Sequence, residues 1–485
     1  MNYANSKEIQ SVEDELDISN CFVEDSLLSA FPENFCIKKS ILPLSFTNGI
    51  LTIASSEDVF YISEDISSYV KFDRLIYKKV KKDLIISYIK KFYKKLNFQS
   101  SDFNSEISNI GEYICDKILL DSFTKKASDI HFCPGINSVS VKYRVDGVLR
   151  NVFEFEKEKW PPVSVRIKVI SELDISETRI PQDGSFSKEI SGKKIDFRVA
   201  CHPTMHGENI VLRVLGNSKP IDLKELNYSQ DTLENINKFI DMPDGLVIFT
   251  GPVGSGKTTS LYSILSHLDP HSNNIVTLED PIESYIPLVR QTDVNKSPNM
   301  NFASGIKSLL RQDPNIMLIG EIRDSETAHM VMRAAMTGHK IFTTLHTNNV
   351  FGVFDRLIEF GIEKTLIMQY LKGVVSQRLI RKLCSCKELV PNNLPELAQN
   401  SIQSKFIFQE AGCNKCDHTG FDGRVVVAES AYIKNDACCG GTIYNQVDMK
   451  KLIPEDFKTM SMNAIERVIS GDTTYNEIKK SFDIY

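Results

Sequence analysis

The chain has 485 residues, 42% hydrophobic and 25% charged, with a formal net charge of −6. That length suits roughly three domains with sizeable cores, and the acidic balance argues against a nucleic-acid-binding protein. The longest apolar runs, such as GLVIFTG and IMLIG, are far too short to cross a bilayer, and the polar, acidic N-terminus is not a signal peptide, so a cytoplasmic protein is expected, reaching a membrane only through a protein partner.

Residues 1 to about 96 mix short apolar runs (ILPLSF, GILTIA) with a basic amphipathic end, KKVKKDLIISYIKKFYKKL. We read that end as the solvated lysine face of a surface helix rather than as a membrane-surface or partner helix. The polar stretch NFQSSDFNSEIS, 97–108, has the composition of a linker. IGEYICDKILLDSFTKKA follows with helical spacing of apolar residues. Next come strand-like alternations: SVSVKYRVDGVLR, with a tight Asp146-Gly147 turn, and KKIDFRVACHP. LGNSKPIDLKELNYSQ, 215–230, is a second candidate linker. From 231 to 382 strands and helices alternate, which predicts a parallel sheet with helices on both faces. The final hundred residues carry two cysteine pairs and then a polar helical tail, and no internal repeat is evident.

The motif with the clearest chemistry is GLVIFTGPVGSGKTTSLYSIL, a strand, then G-x-x-x-x-G-K-T, then a helix. Its loop runs Gly251, Pro252, Val253, Gly254, Ser255, Gly256, Lys257, Thr258, Thr259. Glycines let backbone N–H groups crowd around phosphate oxygens, and the helix N-terminus adds its dipole. Lys257 is expected to neutralise the β and γ phosphates, and the Thr258 hydroxyl to hold Mg²⁺. Three further polar groups stand just past apolar strands: Glu279 in NNIVTLEDPIE, Glu321 in NIMLIGEIRD and His346 in KIFTTLH. Ligands of open parallel sheets bind outside the strands' carboxyl ends. These groups should therefore converge with Lys257 on one phosphate site. Glu279 and Glu321 are the two candidates for polarising the attacking water, one of them ordering Mg²⁺ and its waters instead. His346 is read as a hydrogen-bonding sensor of the γ phosphate. His339, at the other end of the same strand and roughly 23 Å away, is read as structural, satisfied by backbone. Asp280 and Asp324 are also structural, Asp324 capping the helix SETAHMVMRAAMTG that Gly338 ends.

Eleven cysteines in a cytosolic chain read as reduced thiols or metal ligands. RKLCSCKELV and GCNKCDHTGFDGR place Cys384, Cys386, Cys413 and Cys416 as two close pairs, the pattern of a structural tetrahedral Zn²⁺ site. Cys438 and Cys439 are possible substitutes for the first pair, and His418 a possible ligand. Cys21, Cys36, Cys115, Cys133 and Cys201 have no such spacing and read as packing residues.

GPVGSGKTTSLY, TLEDPIE, LLRQDPNIMLIGEIRDSETA and TGHKIFTTLHTNN resemble, in that order, the Walker A, aspartate, Walker B and histidine boxes of the secretion ATPases, the motors of type II secretion and type IV pilus systems. Upstream, ASDIHFCPG, YRVDGVL and RIPQDGSF resemble that family's second N-terminal domain, and ILPLSFTNGILTIASSED its first. The resemblance implies an α/β fold: a RecA-like P-loop ATPase core at 230–382, N-terminal α+β domains at 1–100 and 108–216, a tetracysteine zinc lobe at 383–430 and a helical region at 431–485. It implies a homohexamer that binds and hydrolyses ATP, docked through its first domain on the cytoplasmic domain of an inner-membrane platform protein. It also implies that Arg198 in DFRVA and Arg213 in IVLRVL reach the nucleotide phosphates, with Arg179 a weaker candidate.

Two departures stand out. The family's Asp-Pro-Asp is Asp313-Pro314-Asn315 here, a change expected at the strand entrance, away from the phosphates. Its first C-x-x-C is shortened to C-x-C. Two other functions compete with a pilus or pseudopilus assembly motor. A nucleic-acid translocase of related ring architecture is disfavoured by the acidic balance. A nucleotide-dependent scaffold without turnover is disfavoured by the intact Lys257, Glu279, Glu321 and His346.

Overall fold

A computed structural model describes residues 8–12, 27, 30–47, 49–56, 59–89, 110–190, 193–215, 221–296, 300–392, 394, 402, 404–433, 453 and 456–482. The first candidate linker, the end of the basic stretch, Cys21, Cys438 and Cys439 lie outside them. The chain forms two compact units, one of residues 1–191 with 197–214 and one of residues 192–196 with 215–485. Among the described residues no helix is long and apolar enough to cross a membrane.

The first unit holds two sheets. Strands β1 (Glu8–Val12), β2 (Ile41–Thr47), β3 (Ile50–Ser55) and β4 (Arg74–Lys79) pair in the order β1-β4-β3-β2. β2 and β3 form an antiparallel hairpin, and β4 lies parallel between β3 and β1. The second sheet has the order β7-β6-β5-β10-β9-β8, built from β5 (Asp129–Pro134), β6 (Ser138–Val145), β7 (Val148–Glu156), β8 (Gln182–Ile190), β9 (Lys193–Thr204) and β10 (Gly207–Leu215). The predicted β6–β7 hairpin turns at Asp146 (φ 52°) and Gly147 (φ 84°), the left-handed pair that matches strand twist. The predicted helix, Ile110–Thr124, is bonded to this sheet by the Tyr143 hydroxyl, which donates to Ile118 O at 2.9 Å. It crosses the helix Trp160–Ile170 so closely that a Cβ on Gly111 would lie 2.2 Å from Pro162 O.

The second unit is built on seven strands in the order β13-β12-β14-β15-β11-β16-β19. They are β11 (Gly245–Thr250), β12 (Ile275–Glu279), β13 (Arg290–Asp293), β14 (Ile316–Ile319), β15 (Lys340–Leu345), β16 (Leu371–Leu383) and β19 (Phe421–Tyr432). All pairs are parallel except β16–β19. Alternate residues of β11 serve opposite cores: Leu246 and Ile248 face one, Val247 and Phe249 the other. This is why these strands read as continuous apolar runs. Between β16 and β19 the chain inserts a small hairpin, β17 (Glu388–Pro391) with β18 (Phe406–Gln409), and the four cysteines.

Two local readings differ from the sequence expectation. The described part of the second candidate linker is anchored to the core, with a short 3₁₀ turn at Leu223–Leu226, Leu223 buried, and Leu226 and Tyr228 packed against it, though most of its residues stay exposed. The C-terminal helices Met460–Ile469 and Tyr475–Ser481 are packed, not a polar tail. They bury Met460, Ala464, Val468, Tyr475 and Ile478 with Ile380, Val425 and Val427. Each has a Thr cap, Thr459 and Thr474, whose short spacing of apolar residues is diluted by charge in the sequence.

Candidate functional site

Parallel register aligns the carboxyl ends of β12, β14, β15 and β11, with Leu278 opposite Ile319, Ile319 opposite Thr343 and Leu345 opposite Thr250. The loop after β11 and the residues after the other three strands therefore share one rim. In the loop, Gly251 (φ 142°), Gly254 (φ 75°) and Gly256 (φ 86°) take left-handed backbone, and a Cβ on Gly251 would sit 2.3 Å from Gln377 O. Gly256 caps the helix Lys257–His267. Lys257 is buried, and its Nζ donates to Gly251 O at 2.7 Å and Pro252 O at 3.1 Å. Burial pulls its pKa down to about 8, while the Glu321 carboxylate works the other way. A desolvated cation held by its own loop's carbonyls gains by meeting a stronger, charged acceptor. The Ser255 hydroxyl is buried and unbonded, a polar atom that asks for a ligand. Thr258 is half-buried beside it, whereas Val253 and Thr259 are exposed.

The two acids occupy different environments. Glu279 is 4% exposed; Thr277 Oγ1 donates to it at 2.5 Å, Gln291 Nε2 at 3.3 Å, and the Tyr262 hydroxyl also donates. Burial raises its pKa, and those three donors partly offset the rise. Glu321 is half-buried. Burial would raise its carboxyl too, but Arg323 and His346 outweigh that and hold it below the ordinary value. His346, exposed, meets Glu321 through Nε2 at 3.1 Å. Arg323 bridges Glu321 and Asp280, reaching Asp280 Oδ2 at 2.9 Å. The structure thus brings Lys257, Glu321 and His346 together, and seats Glu279 on the adjacent strand in a buried niche.

The structural residues fall where their types suggest. His339 Nδ1 lies 3.1 Å from Ala334 O and 3.0 Å from Thr337 Oγ1. Asp324 Oδ1 caps its helix by accepting from Thr327 N at 2.8 Å, and Gly338 has φ 85°. Asn315, at the entrance of β14, accepts from Asn274 N at 2.7 Å, so the amide supplies the acceptor that the position uses. Cys36, Cys115 and Cys201 are buried, and Cys133 is half-buried.

Several polar residues organise the site although no motif assigns them a role. Tyr262, from the Walker A helix, reaches across to Glu279 and accepts from Glu283 N at 3.3 Å. Thr250 and Thr347 share a hydroxyl contact at 2.8 Å, tying β11 to the loop after His346. Glu429, on β19 and buried, accepts from Val350 N at 2.7 Å and from Met460 N at 2.8 Å. One carboxylate so serves the first turns of two helices, Val350–Glu359 and Met460–Ile469. Burial raises its pKa, and the two amides counter that. Gln377, 1% exposed on β16, bonds the phosphate loop itself. The available signal was a polar residue inside an apolar strand, which must find a partner.

In the first unit, Arg213 is on β10 and Arg198 on β9. Arg213 Nε reaches Asp129 Oδ1 at 3.2 Å, and Arg144 Nε reaches Asp129 Oδ2 at 3.4 Å. Arg213 keeps most of its side chain in solvent, and Arg179 pairs with Glu177 at 3.1 Å.

The sulfur atoms of Cys384, Cys386, Cys413 and Cys416 all lie within 4.8 Å of one another. Three of their separations are 3.8, 3.9 and 3.8 Å. Four thiolates about 2.3 Å from a central ion form a tetrahedron with edges of about 3.8 Å. The donor set therefore fits a structural Zn²⁺, shortened first pair included. Cys413 N and Gly420 N point at Cys416 Sγ at 3.2 and 3.3 Å, the amide support a thiolate needs. His418 turns away to Asn414 Oδ1 at 3.1 Å and does not join the cluster.

A family model described as "Type II/IV secretion system protein" matches residues 104–480. The type II secretion system protein E of Pseudomonas aeruginosa is 40% identical over 373 residues, 75% of this chain and 74% of that protein. The type IV pilus assembly ATPase PilB of Myxococcus xanthus is 36% identical over 374 residues, 74% of this chain and 66% of that protein. The X-ray structure of the Legionella pneumophila ATPase DotB superposes with a TM-score of 0.61 at 22% identity, covering 78% of this chain and 97% of that one, a likeness of fold. The phosphate loop, the acids and histidine on its rim and these likenesses lead to one statement: the chain belongs to the family of type II/IV secretion system ATPases.

Proposed function

We propose that the protein is a cytoplasmic, hexameric motor that hydrolyses ATP with Mg²⁺ to drive assembly of a type IV pilus or a type II secretion pseudopilus. The observation that carries this reading is the shared rim of Lys257, Glu321 and His346 at the carboxyl edge of one parallel sheet. Lys257 and the loop amides hold the β and γ phosphates, Thr258 holds Mg²⁺, and His346 senses the γ phosphate from its hydrogen bond to Glu321. Glu321, held ionised by Arg323 and its hydrogen bond with His346, polarises the attacking water; Glu279, in its buried niche, would help order a bound metal's waters. Docking through the first N-terminal domain to the cytoplasmic part of an inner-membrane platform protein makes membrane association indirect. No nucleic acid takes part.

Arg198 and Arg213 complete the proposal. Supplied from the first unit, their planar guanidinium groups compensate phosphoryl charge and couple hydrolysis to domain movement. Phosphate release from the assembled protein tests the whole reading, because a scaffold would bind ATP without steady turnover. In that assay Arg198→Ala is expected to cut turnover by about 10³-fold or more while the far-ultraviolet circular dichroism stays parental. Parental turnover and nucleotide affinity in Arg198→Ala would remove the arginine from the mechanism.

Cys384, Cys386, Cys413 and Cys416 are proposed to hold one Zn²⁺, structural because four thiolates leave no open position. Elemental analysis should give one zinc per chain. Cys413→Ser should lower that content and the melting temperature together, since binding energy at such a site is folding energy. A metal-free chain that melts at the same temperature as the purified protein would rule out the structural role.

A further inference from the structure

We propose that Gln377 is a positioning residue for nucleotide binding: its side-chain amide sets the orientation of the Ser255–Gly256 peptide and so aims the Gly256 N–H into the phosphate cradle. The inference rests on the P-loop reading above and assigns a role to a residue outside every motif of that loop. Gln377 lies on β16, the strand beside β11, 1% exposed. Its Nε2 donates to Ser255 O at 2.7 Å. Its Oε1 accepts from the Tyr228 hydroxyl at 2.6 Å and lies 3.1 Å from Ser260 Oγ. Tyr228 and Ser260 are themselves in contact at 2.6 Å. The carbonyl of Ser255 requires a donor on one side, and on the other the bonded Tyr228–Ser260 hydroxyl pair presents a proton to Oε1. Only one orientation of the amide satisfies both.

A planar trans peptide points its C=O and N–H in opposite directions. Pinning Ser255 O toward β16 therefore directs the Gly256 N–H away from β16. That N–H stands immediately before Lys257, at the N-terminus of the helix that follows the loop. The same strand also sets the loop's distance: Gln377 O would meet a Cβ on Gly251 at 2.3 Å, and Gln377 Nε2 would meet one on Gly256 at 3.3 Å. Gln377 thus contacts the first and last glycines of the loop. Without its bond, the Ser255 carbonyl would be a buried acceptor lacking a partner, free to rotate inward and present negative charge to the phosphates. Such a change weakens binding of the nucleotide more than it slows the chemical step, because none of these atoms touches the reacting phosphorus.

The test is a split between affinity and rate. Gln377→Met keeps the side-chain length and removes the donor. With ADP and with ATP plus Mg²⁺, dissociation constants measured by calorimetry should rise at least ten-fold. KM for ATP should rise in step, and kcat at saturating ATP should stay within about three-fold of the parent. Gln377→Glu, which keeps an acceptor for Tyr228 and Ser260 but repels Ser255 O, should be at least as impaired in affinity. A folded Gln377→Met chain with parental dissociation constants overturns the proposal, as does a loss confined to kcat. If Gln377→Met does not fold, Gln377→Glu carries the test. It places an acceptor where Ser255 O needs a donor, and unchanged nucleotide affinity there overturns the proposal equally. A parental chain that binds no ATP would instead refute the proposed function, so the two failures are distinct.

Discussion

Lys257→Ala will bring ATP turnover down by at least about 100-fold, the scale of losing one strong charge partner in a water-poor site. The substitution removes the only ammonium within the loop Gly251–Thr259. In the parent that ammonium is desolvated, with its pKa down at about 8, and its hydrogen bonds go to two loop carbonyls. Polyphosphate oxygens are stronger acceptors than carbonyls, so binding replaces weak bonds by charge-assisted ones. The alanine chain loses that gain in the ground state and again as charge builds on the leaving β phosphate. Both KM and kcat should suffer. The Gly251 and Pro252 carbonyls lose a donor, but the cost of burying the charge goes with it, so the melting temperature should change little. A phosphate-release assay giving turnover within about three-fold of the parent would show that Lys257 is not at the phosphates.

Glu321→Gln is expected to separate binding from hydrolysis. The amide keeps the shape, and with it contacts to Arg323 and His346, but it cannot take a share of a proton from water. ATP should bind with near-parental affinity while turnover falls by at least about 100-fold. The distinction from Glu279 is environmental. Glu321 is held below the ordinary carboxyl range by Arg323 and His346, whereas Glu279 is pushed up by burial and has three side-chain donors. If Glu321→Gln hydrolyses ATP at the parental rate, the polarising role passes to Glu279.

Much of the site was legible because its chemistry depends on local sequence. A glycine-spaced loop between an apolar strand and a helix needs no distant information, and neither does a polar residue at a strand's carboxyl end. Glu279, Glu321 and His346 could be read from three apolar runs and the rule for open parallel sheets. The residues that hold them could not. Tyr262 is a helix residue like its neighbours until β12 brings Glu279 against it. Gln377 and Glu429 lie on β16 and β19, strands whose places in the sheet depend on packing across more than a hundred residues of chain. The tail misled for a related reason. Its helices are short and charged, and what makes them structural is the apolar face of β16 and β19 that they cover.

Glu429 gives that tail a meaning beyond packing. Its two oxygens are divided between Val350, four residues after His346, and Met460, which opens the tail. Shearing away the tail would strand half of a buried anion, and the imbalance would fall on the stretch that carries the imidazole. The end of the chain is thus a strut for the rim where the triphosphate would lie, though it stands apart from every nucleotide motif.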